Sequence, residues 1–450
     1  MLQAPLPPGL ALLAALLCGL PPGSAWAQSF ETISSPCPLT GACPDGNLQF
    51  QGGQFGTSVV VLDFDGDGHQ DVAVGEAKRD CVYLFRGPQP ELANPIRLHP
   101  SGPFVGCPPP PPTGDEFGSF LAKGQYDGAP GEELFVGAPG ALGGQGEVHV
   151  YSRANPSFAL TTSFPGIQAF GTAIAVANLD GDDLADVAVG APSTPRGGQA
   201  SVGTVHVFSS ALAGEIPLLN PGFFSGEGEL GNYGAELAVQ DADGNGQADL
   251  FACASGNALG ATLFAGAVYL HRSPVVGPGA PPPQRIDDPN PVPCEFGPRF
   301  GKAIDARDDI LIVGAPRKEH PTTTCTPNHV QDDPGGATAF IGPAYTAGAL
   351  LPDRSPGTNG LFGFNVLLAD LRGGPAADLV VISMKDKQLQ VWDRTQFTAG
   401  PLVIPMPPGA VYWGLGTARG EVDTTNAKEE ILLGDPRAAQ CAGRVLLLEF

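Results

Sequence analysis

The amino-acid sequence predicts an all-β fold, a seven-bladed β-propeller closed by pairing of its N- and C-terminal segments. Three observations predict it: an aromatic–glycine pair recurs seven times, an acidic loop follows eight residues later in most copies, and an apolar run then ends in Gly-Ala-Pro or a variant of it. A unit copied at a regular period packs against its own neighbours, so the repeat decides the fold. The pairs, 51 to 67 residues apart, are Phe55-Gly56, Phe117-Gly118, Phe170-Gly171, Tyr233-Gly234, Phe300-Gly301, Phe362-Gly363 and Trp413-Gly414.

The third unit contains four segments that each have the character of a strand. Phe170–Ala177 is rich in small and β-branched residues, Val187–Val189 is an apolar run that Gly190-Ala191-Pro192 ends, and Gly203–Phe208 alternates as a half-exposed strand does. Ser157–Ser163 provides the outer strand of the preceding unit. Four antiparallel strands in each of seven units are typical of a propeller.

The seventh unit ends after three strands, which are predicted at Trp413–Ala418, Glu430–Leu433 and Gly443–Phe450. Its outer strand must therefore come from the N-terminus, and Asn47–Gln51 is the segment we expect there, because this pairing leaves no open edge at the seam. The predicted domains are a signal peptide at residues 1–27, an N-terminal extension at 28–46 and the propeller at 47–450.

The N-terminus has the features of a secretion signal. Leu10–Leu20 is an apolar core too short to span a bilayer, and Ala25-Trp26-Ala27 is a cleavage sequence of the A-x-A type. We expect a secreted, extracellular protein, or a periplasmic one if the source is bacterial. The net charge of −23 and the pI near 4.5 argue against nucleic acid or an anionic membrane surface as a partner.

The loop of the first unit, Asp63-Phe-Asp-Gly-Asp-Gly-His-Gln-Asp71, carries oxygen side chains at positions 1, 3, 5 and 9 and a glycine at position 6. This is the beginning of an EF-hand-type loop, with the carbonyl of position 7 free to face inward, and it suits Ca²⁺. Units three and four have loops of the same phase. We therefore predict about three Ca²⁺ sites, in which like charges would repel one another without a cation. Their residues are Asp63, Asp65, Asp67, His69 and Asp71; Asn178, Asp180, Asp182, Leu184 and Asp186; and Asp241, Asp243, Asn245, Gln247 and Asp249.

A metal-free Asp-Gly hairpin turn is the alternative interpretation of any one of these loops. The other units depart from the pattern. Unit two offers Gln125, Asp127, Ala129 and Glu133, unit five reduces the loop to Asp308-Asp309, and unit seven carries an insertion. In unit six Arg372 stands at position 3, where its guanidinium is expected to replace the cation and bridge Asp370 and Asp378.

Eight cysteines remain after signal cleavage, an even number that suits an oxidising compartment. The candidate disulfides are Cys37 with Cys43, Cys81 with Cys107, and Cys294 with Cys325. Cys253 is expected to be a buried free thiol in a strand. Cys441 is unassigned and pairs with Cys37 or Cys43 in an alternative arrangement.

The aromatic–glycine pair, the Asp-x-Asp-x-Asp-Gly loop and the Gly-Ala-Pro terminus resemble the FG-GAP repeat, and the chain resembles the propeller of integrin alpha subunits over about nine-tenths of its length. The resemblance implies calcium in the acidic loops of the lower face and partners on the opposite face. Integrin alpha subunits are adhesion receptors paired with a beta subunit. We expect no catalytic residues and an extracellular protein or cell-surface ligand as the partner, bound by a monomer or a member of a hetero-complex.

Long loops favour this interaction role, since binding residues often lie on loops held by a rigid scaffold. They are predicted on the face opposite the calcium loops, at Gly102–Glu116, Ser193–Gly203, Asn257–Gly266, Ser273–Cys294 and Arg317–Gly335. The alternative to this interaction role is that the loops are tolerated insertions that bind nothing. A propeller belonging to a hydrolase or lyase is another, for which His320 and His329 are the pair to test. A carbohydrate-binding lectin is a third, weakened because Trp392 and Trp413 are the sole tryptophans beyond the signal.

Overall fold

Seven four-stranded antiparallel sheets form a ring, so the predicted seven-bladed propeller is confirmed. The computed structural model describes residues 29–36, 54–87, 95–103, 112–153, 158–160, 167–182, 184–209, 215–219, 231–259, 264–277, 279–291, 299–318, 335–346, 348–351, 353, 361–373, 376–395, 400–407, 414–422, 428–436 and 443–450. Among these residues no helix is long and apolar enough to cross a membrane.

Each of the first six blades is a meander of four consecutive strands. Blades 1 to 3 are β2 (Phe55–Leu62), β3 (Asp71–Glu76), β4 (Cys81–Phe85) and β5 (Ile96–Leu98); β6 (Phe120–Gly124), β7 (Glu133–Ala138), β8 (Glu147–Tyr151) and β9 (Phe158–Leu160); and β10 (Ala173–Ala177), β11 (Asp186–Ala191), β12 (Thr204–Phe208) and β13 (Glu215–Leu219). Blades 4 to 6 are β14 (Tyr233–Gln240), β15 (Asp249–Ala254), β16 (Val268–His271) and β17 (Gln284–Ile286); β18 (Ala303–Arg307), β19 (Ile310–Ala315), β20 (Gly336–Ile341) and β21 (Gly348–Leu351); and β22 (Phe362–Ala369), β23 (Asp378–Ser383), β24 (Gln388–Trp392) and β25 (Leu402–Pro405). Two short helical turns, Ala77–Arg79 and Ala141–Gly144, complete the regular structure of the described residues.

Blade 7 closes the ring with a strand from the N-terminus. Its strands are β26 (Thr417–Gly420), β27 (Glu430–Asp435), β28 (Arg444–Glu449) and, outermost, β1 (Ser29–Ser34), which pairs with β28 from Ser29 opposite Glu449 to Ser34 opposite Arg444. The closure was predicted, but the segment was wrong: Asn47–Gln51 lies outside the described residues, and the closing strand falls in the stretch predicted as an N-terminal extension.

The length of the connecting chain explains why Ser29–Ser34, and not Asn47–Gln51, closes the ring. The path from the outer strand of one blade to the inner strand of the next crosses three strand spacings, about 14 Å in all. From Gln51 to Phe55 a fully extended chain reaches about 14 Å at most, which leaves nothing for a turn. Ser34 lies far enough from Phe55 for this crossing, and Ile33, 4% exposed, packs into the cluster between blades 7 and 1.

The two glycines of the repeat meet across every blade interface that keeps them. A Cβ on the glycine that precedes the last residue of the second strand would lie 1.9 to 2.2 Å from the carbonyl oxygen of the next blade's aromatic–glycine pair. Those contacts are Gly75 with Gly118, Gly137 with Gly171, Gly190 with Gly234, Gly314 with Gly363, and Gly434 with Gly56. Cys253 and Ile382 take this place in blades 4 and 6, where they face Gly301 and Gly414. The two glycines of the repeat are therefore explained by a close backbone-to-backbone contact between neighbouring blades.

The aromatic residue of each pair is anchored within its own blade. The described members, Phe55, Phe117, Phe170, Tyr233, Phe300 and Phe362, are all 0% exposed. Five of them make edge-to-face contacts with a ring of the third strand, at centroid distances from 5.7 to 6.2 Å, and such pairs add to the stability of burial. Seven apolar clusters among the described residues each join two neighbouring blades and so distribute the core around the ring.

The first strands of the blades line a central channel, in which two cavities of about 810 and 390 Å³ lie. Ion pairs cross this channel from blade 5 to blade 7. Arg419 pairs with Asp305, and Arg307 Nη1 lies 2.5 Å from Glu429 Oε2. Both pairs tie blades that have blade 6 between them.

Candidate metal centre

The acidic loops connect the first and second strands of blades 1, 3 and 4 and lie on one face of the ring. The ninth residue of each loop begins the second strand and is buried: Asp71 is 2% exposed, and Asp186 and Asp249 are 0% exposed. Each of these carboxylates accepts a hydrogen bond from the backbone N–H of the loop's second residue, at 2.8 to 2.9 Å. The strand start therefore fixes one carboxylate beneath each loop.

The first residue of the loop organises the turn above it. Asp63 accepts hydrogen bonds from the N–H groups of Gly66, Asp67 and Gly68, and Asp241 accepts the three equivalent bonds in blade 4. Gly66 and Gly68 have φ of 71° and 87°, a left-handed conformation that explains the glycines of the motif. In blade 3, Asn178 Oδ1 accepts the N–H of Gly181 at 2.7 Å.

Three carboxylates converge in each of the three loops, as the repeat phase predicted. In each group one oxygen of every member lies within 4.8 Å of the others, and the groups are Asp63, Asp65 and Asp71; Asp180, Asp182 and Asp186; and Asp241, Asp243 and Asp249. Such groups can hold a cation, because a hard divalent ion takes carboxylate oxygens as ligands.

The electrostatics of the blade 1 loop favour a positive charge at its centre. Burial raises the pKa of Asp71, helped by repulsion from Asp65 and Asp67 and opposed by hydrogen bonds from Gly87 and Phe64. Burial likewise raises the pKa of Asp249 in blade 4. The Oδ1 atom of Asp65 is buried and has no hydrogen-bond partner. A buried acceptor without a partner is costly, so the residues present fit a cation.

Not every predicted ligand joins a three-carboxylate group. Asp67 Oδ1 accepts the N–H of His69 at 2.8 Å, and Asn245 Oδ1 accepts the N–H of Gln247 at 2.7 Å. Asp182, which is in its group, likewise accepts the N–H of Leu184. These bonds hold the position-7 residue in place. All fifteen predicted ligands remain predictions. Those outside the three groups are the position-7 carbonyls of His69, Leu184 and Gln247 and the side chains of Asp67, Asn178 and Asn245.

The blade 2 loop satisfies itself without a cation. The side-chain amide of Gln125 donates to the carbonyl oxygens of Ala129 and Gly131, the latter at 2.6 Å. Its Oε1 accepts the N–H of Gly128 at 2.8 Å. The amide nitrogen thus binds loop oxygens as a cation would.

In blade 6 the guanidinium of Arg372 binds carboxylate oxygens as a cation would. One of the two partners predicted for it was wrong. Arg372 pairs with Asp378, to which Nε donates at 3.0 Å, and with Asp393 rather than with Asp370. Asp393 directly follows the third strand, whose end lies beside the loop. The hydrogen bond from Arg372 is the main cause that holds the pKa of Asp393 well below its usual range.

In blades 1 and 4 the same two positions form an ion pair, but the acidic and the basic residue are exchanged. There the acid is at loop position 3, and the residue after the third strand is arginine. Arg86 Nη1 lies 3.5 Å from Asp65, and Arg272 Nη1 lies 3.8 Å from Asp243. The post-strand residue therefore faces loop position 3 in all three blades. In blades 5 and 7 the arrangement is not comparable, because Asp308-Asp309 forms a tight turn and residues 423–427 lie outside the described part.

Of the predicted disulfides, one is contradicted. Cys81 is a free buried thiol 3.1 Å from the carbonyl oxygen of Arg79, so it does not form the bridge with Cys107. Its strand is enclosed in the seam cluster between blades 7 and 1, which keeps the thiol inside. Cys253 is a buried free thiol, as expected. The other candidates, Cys37, Cys43, Cys107, Cys294, Cys325 and Cys441, lie outside the described residues.

The loops expected on the opposite face are not all there. The predicted loop Ser273–Cys294 contains strand β17, and its first half joins the third strand to the fourth on the face of the acidic loops. There Ser273 N–H donates to Asp249 at 2.6 Å, and Val275 N–H donates to the carbonyl of Leu179 at 2.7 Å. The loop at Ser193–Gly203 and the described ends of the loop at 257–266 (residues 257–259 and 264–266) join second to third strands and lie on the opposite face, as expected.

Comparison with known proteins agrees with this geometry. The FG-GAP repeat model matches residues 55–78 and 170–208. The chain carries FG-GAP repeats. It is similar to integrin alpha-PS5 of Drosophila melanogaster (30% identity over 168 residues, 33% of this chain and 15% of that protein) and to integrin alpha-IIb of Homo sapiens (34% over 163 residues, 30% and 14%). The chain thus spans about one-seventh of the length of these relatives, and it is similar to integrin alpha subunits in that part.

Among solved structures, the FG-GAP chain is similar to virginiamycin B lyase from Staphylococcus aureus, with a TM-score of 0.52 and 10% identity over 94% of this chain and 99% of that one. Identity this low shows the propeller fold alone.

Proposed function

We propose that this chain is a calcium-stabilised, exported propeller that acts as a protein-interaction or cell-adhesion module. The observation that carries the proposal is that three carboxylates converge in the same loop of three blades, at loop positions 1, 3 and 9 in blades 1 and 4 and at positions 3, 5 and 9 in blade 3. Acidic surface loops are common, but three groups at one phase of a repeat, each above a buried aspartate, point to a shared ligand.

Calcium is the cation that the donors favour. Every side-chain ligand is an oxygen, and the loops have the spacing of the first part of an EF-hand. Three groups of carboxylates would hold the ions: Asp63, Asp65 and Asp71 in blade 1; Asp180, Asp182 and Asp186 in blade 3; and Asp241, Asp243 and Asp249 in blade 4. When bound, the cation supplies positive charge that offsets repulsion among these carboxylates. Its role would be structural.

The face opposite the acidic loops is the surface we propose for a partner. Resemblance to integrin alpha subunits supports this choice, as do the loops at 193–203 and 257–266. In the first, residues 196–199 form a tight tip in which Arg196 and Gln199 exchange two backbone hydrogen bonds of 2.9 and 3.0 Å. The proposed export rests on the apolar segment Leu10–Leu20 and the Ala25-Trp26-Ala27 sequence.

A non-enzymatic role is supported by the positions of the histidines in the blades. Burial lowers the pKa of His271 to about 4, and its ring contacts the hydroxyl of Tyr233 at 2.6 Å. Burial also lowers the pKa of His149, which packs edge-on against Phe117. Side chains packed in this way serve the core. His320 and His329 lie outside the described residues.

The proposed calcium binding can be tested by calorimetric titration of EDTA-treated protein with calcium, with thermal unfolding measured in parallel. We expect about three equivalents, and a gain of about 2.7 kcal/mol per site when free calcium is 100 times its Kd. Asp243→Ala should remove one equivalent. Asp127→Ala, at the same phase of the self-satisfied blade 2 loop, is the matched control and should remove none. Absence of binding heat together with an unchanged melting temperature would refute the calcium sites.

Adhesion of intact cells to immobilised protein tests the interaction part. Replacing residues 196–199 by a Gly-Ser tip should reduce adhesion, while calcium binding stays unchanged because the tip is on the other face. Equal adhesion of both proteins would argue against this loop as the contact.

A further inference from the structure

Two glutamates clamp the first-to-second-strand loop of the preceding blade. Glu132, one residue before the second strand of blade 2, accepts the N–H of Asp63 at 2.9 Å through Oε2, and its own N–H donates to the carbonyl of Asp63 at 2.7 Å. Glu429 of blade 7 makes the same two bonds with Asp370 of blade 6, at 2.7 and 3.0 Å. The clamp therefore joins two loops around the backbone of loop position 1.

In each clamp, a lysine or arginine side chain pairs with the carboxylate oxygen that accepts the backbone N–H. Lys123 Nζ lies 3.1 Å from Glu132 Oε2, and Arg307 Nη1 lies 2.5 Å from Glu429 Oε2. The carboxylate is thereby held between a charged side chain in the channel and a backbone N–H of the neighbouring blade. A hydrogen bond to a charged acceptor contributes more than a neutral one.

Further contacts press the blade 2 loop against the acidic loop of blade 1. A Cβ on Gly66 would lie 2.9 Å from the backbone nitrogen of Gly131, and a Cβ on Gly131 would lie 2.8 Å from the carbonyl of Phe64. Arg153 Nη1 donates to the carbonyl of Asp65 at 2.5 Å. Blade 2 thus holds the backbone on which two carboxylates of the blade 1 group stand.

The other two acidic loops have no such glutamate beside them. After blade 3, the residue before the second strand of the next blade is Ala248. After blade 4, the next blade has only the shortened Asp308-Asp309 turn. Among the described residues, the glutamate clamp therefore acts on the acidic loop of blade 1 and on the blade 6 loop, which has no cation group, and it is missing from the acidic loops of blades 3 and 4.

We infer that Glu132 is the positioning residue of the blade 1 cation loop, and that it makes the calcium affinity of this loop depend on the contact between blades 1 and 2. This inference rests on the calcium binding proposed above. Glu132 is not one of the three converging carboxylates of that loop. It fixes the backbone of Asp63, and so the place of the ligands, as outer residues do at other metal sites.

Hydrogen exchange followed by mass spectrometry over a calcium titration of the full chain tests this positioning role, because it gives a midpoint for each loop separately. Glu132→Ala should raise the calcium midpoint of protection in peptides covering residues 63–71 about 10-fold. The midpoints for residues 178–186 and 241–249 should stay unchanged. Glu132→Gln keeps an oxygen for the N–H of Asp63 and should restore most of the affinity. Arg153→Ala, at an exposed residue, should raise the same midpoint about 2-fold to 3-fold through the loss of one hydrogen bond.

Glu429→Ala is the matched control, since it breaks the same clamp on a loop that holds Arg372 in place of a cation. It should increase exchange in residues 365–373 and shift no calcium midpoint. An unchanged midpoint for residues 63–71 in Glu132→Ala, or an equal shift in all three acidic loops, would overturn the inference while leaving calcium binding intact. Absence of calcium-dependent protection in the unmodified protein would instead remove the calcium sites, and the inference with them.

Discussion

Replacing Arg372 by alanine tests whether a side chain stands in for a cation in blade 6. The change leaves Asp378, which is 1% exposed, and Asp393 without their shared guanidinium. Removing one partner of a buried ion pair costs about 3–5 kcal/mol. The Arg372 side chain is 32% exposed, so solvent screens part of the interaction, and we expect a loss of about 2–3 kcal/mol in the free energy of unfolding.

Urea unfolding in EDTA measures this loss, and pH gives it a signature. The pKa of Asp393 is depressed in the folded protein, so its stabilisation is fully present above the unfolded pKa near 3.8 and is lost as pH falls through the lower folded value. The difference between Arg372→Ala and the unmodified protein should therefore be constant near pH 7 and shrink below about pH 4.

Arg86→Ala is the control, because Arg86 faces loop position 3 of blade 1 from the same place but is 55% exposed and 3.5 Å from Asp65. It should cost less than about 0.5 kcal/mol. A loss below that value in Arg372→Ala, or an equal loss in both variants, would refute the idea that the guanidinium replaces an ion.

Three further changes test the blades and the seam. Gly190→Ala should cost about 1–3 kcal/mol in urea unfolding, because its Cβ would lie 1.9 Å from the carbonyl of Gly234, and a loss below about 0.5 kcal/mol would contradict the contact. Glu76→Gln should stabilise the protein above pH 7 and have little effect near pH 4.5. Burial raises the pKa of Glu76 from 4.5 to about 7, so stability falls as pH rises between these values, and a pH-independent difference would rule this out. Deleting residues 28–36 should lower the melting temperature sharply, since β28 would lose its partner strand, and an unchanged value would contradict closure by β1.

The fold could be predicted from the sequence because its signals are local and repeated. Phe170-Gly171 and Gly190-Ala191-Pro192 mark places where two backbones approach so closely that a Cβ would clash, and the glycines are kept at five of the seven interfaces. The closing strand had no such mark. Ser29–Ser34 contains one buried isoleucine among the side chains described, and only the distance that the chain must cover separates it from Asn47–Gln51.

The three carboxylate groups were predictable for the same reason, since all their members lie within one nine-residue loop. The partners that come from other strands were not. Asp393 reaches Arg372 from the end of the third strand, and Glu132 reaches Asp63 from the next blade. A weak signal for the second existed: glutamate directly precedes the position-9 acid in both blade 2 and blade 7.

The pairing of Ser29 with Glu449 means that the polypeptide enters and leaves the ring side by side, on the outer edge of one blade. A fluorophore or tag placed directly before Ser29 or directly after Glu449 would be displayed from nearly the same point on the circumference. In a chain that starts at Ser29, joining Ser29 to Phe450 with a short linker and opening the chain in a loop between other blades should preserve the described strand pairs. The position of the break is therefore a free choice for engineering surface-displayed versions of this ring.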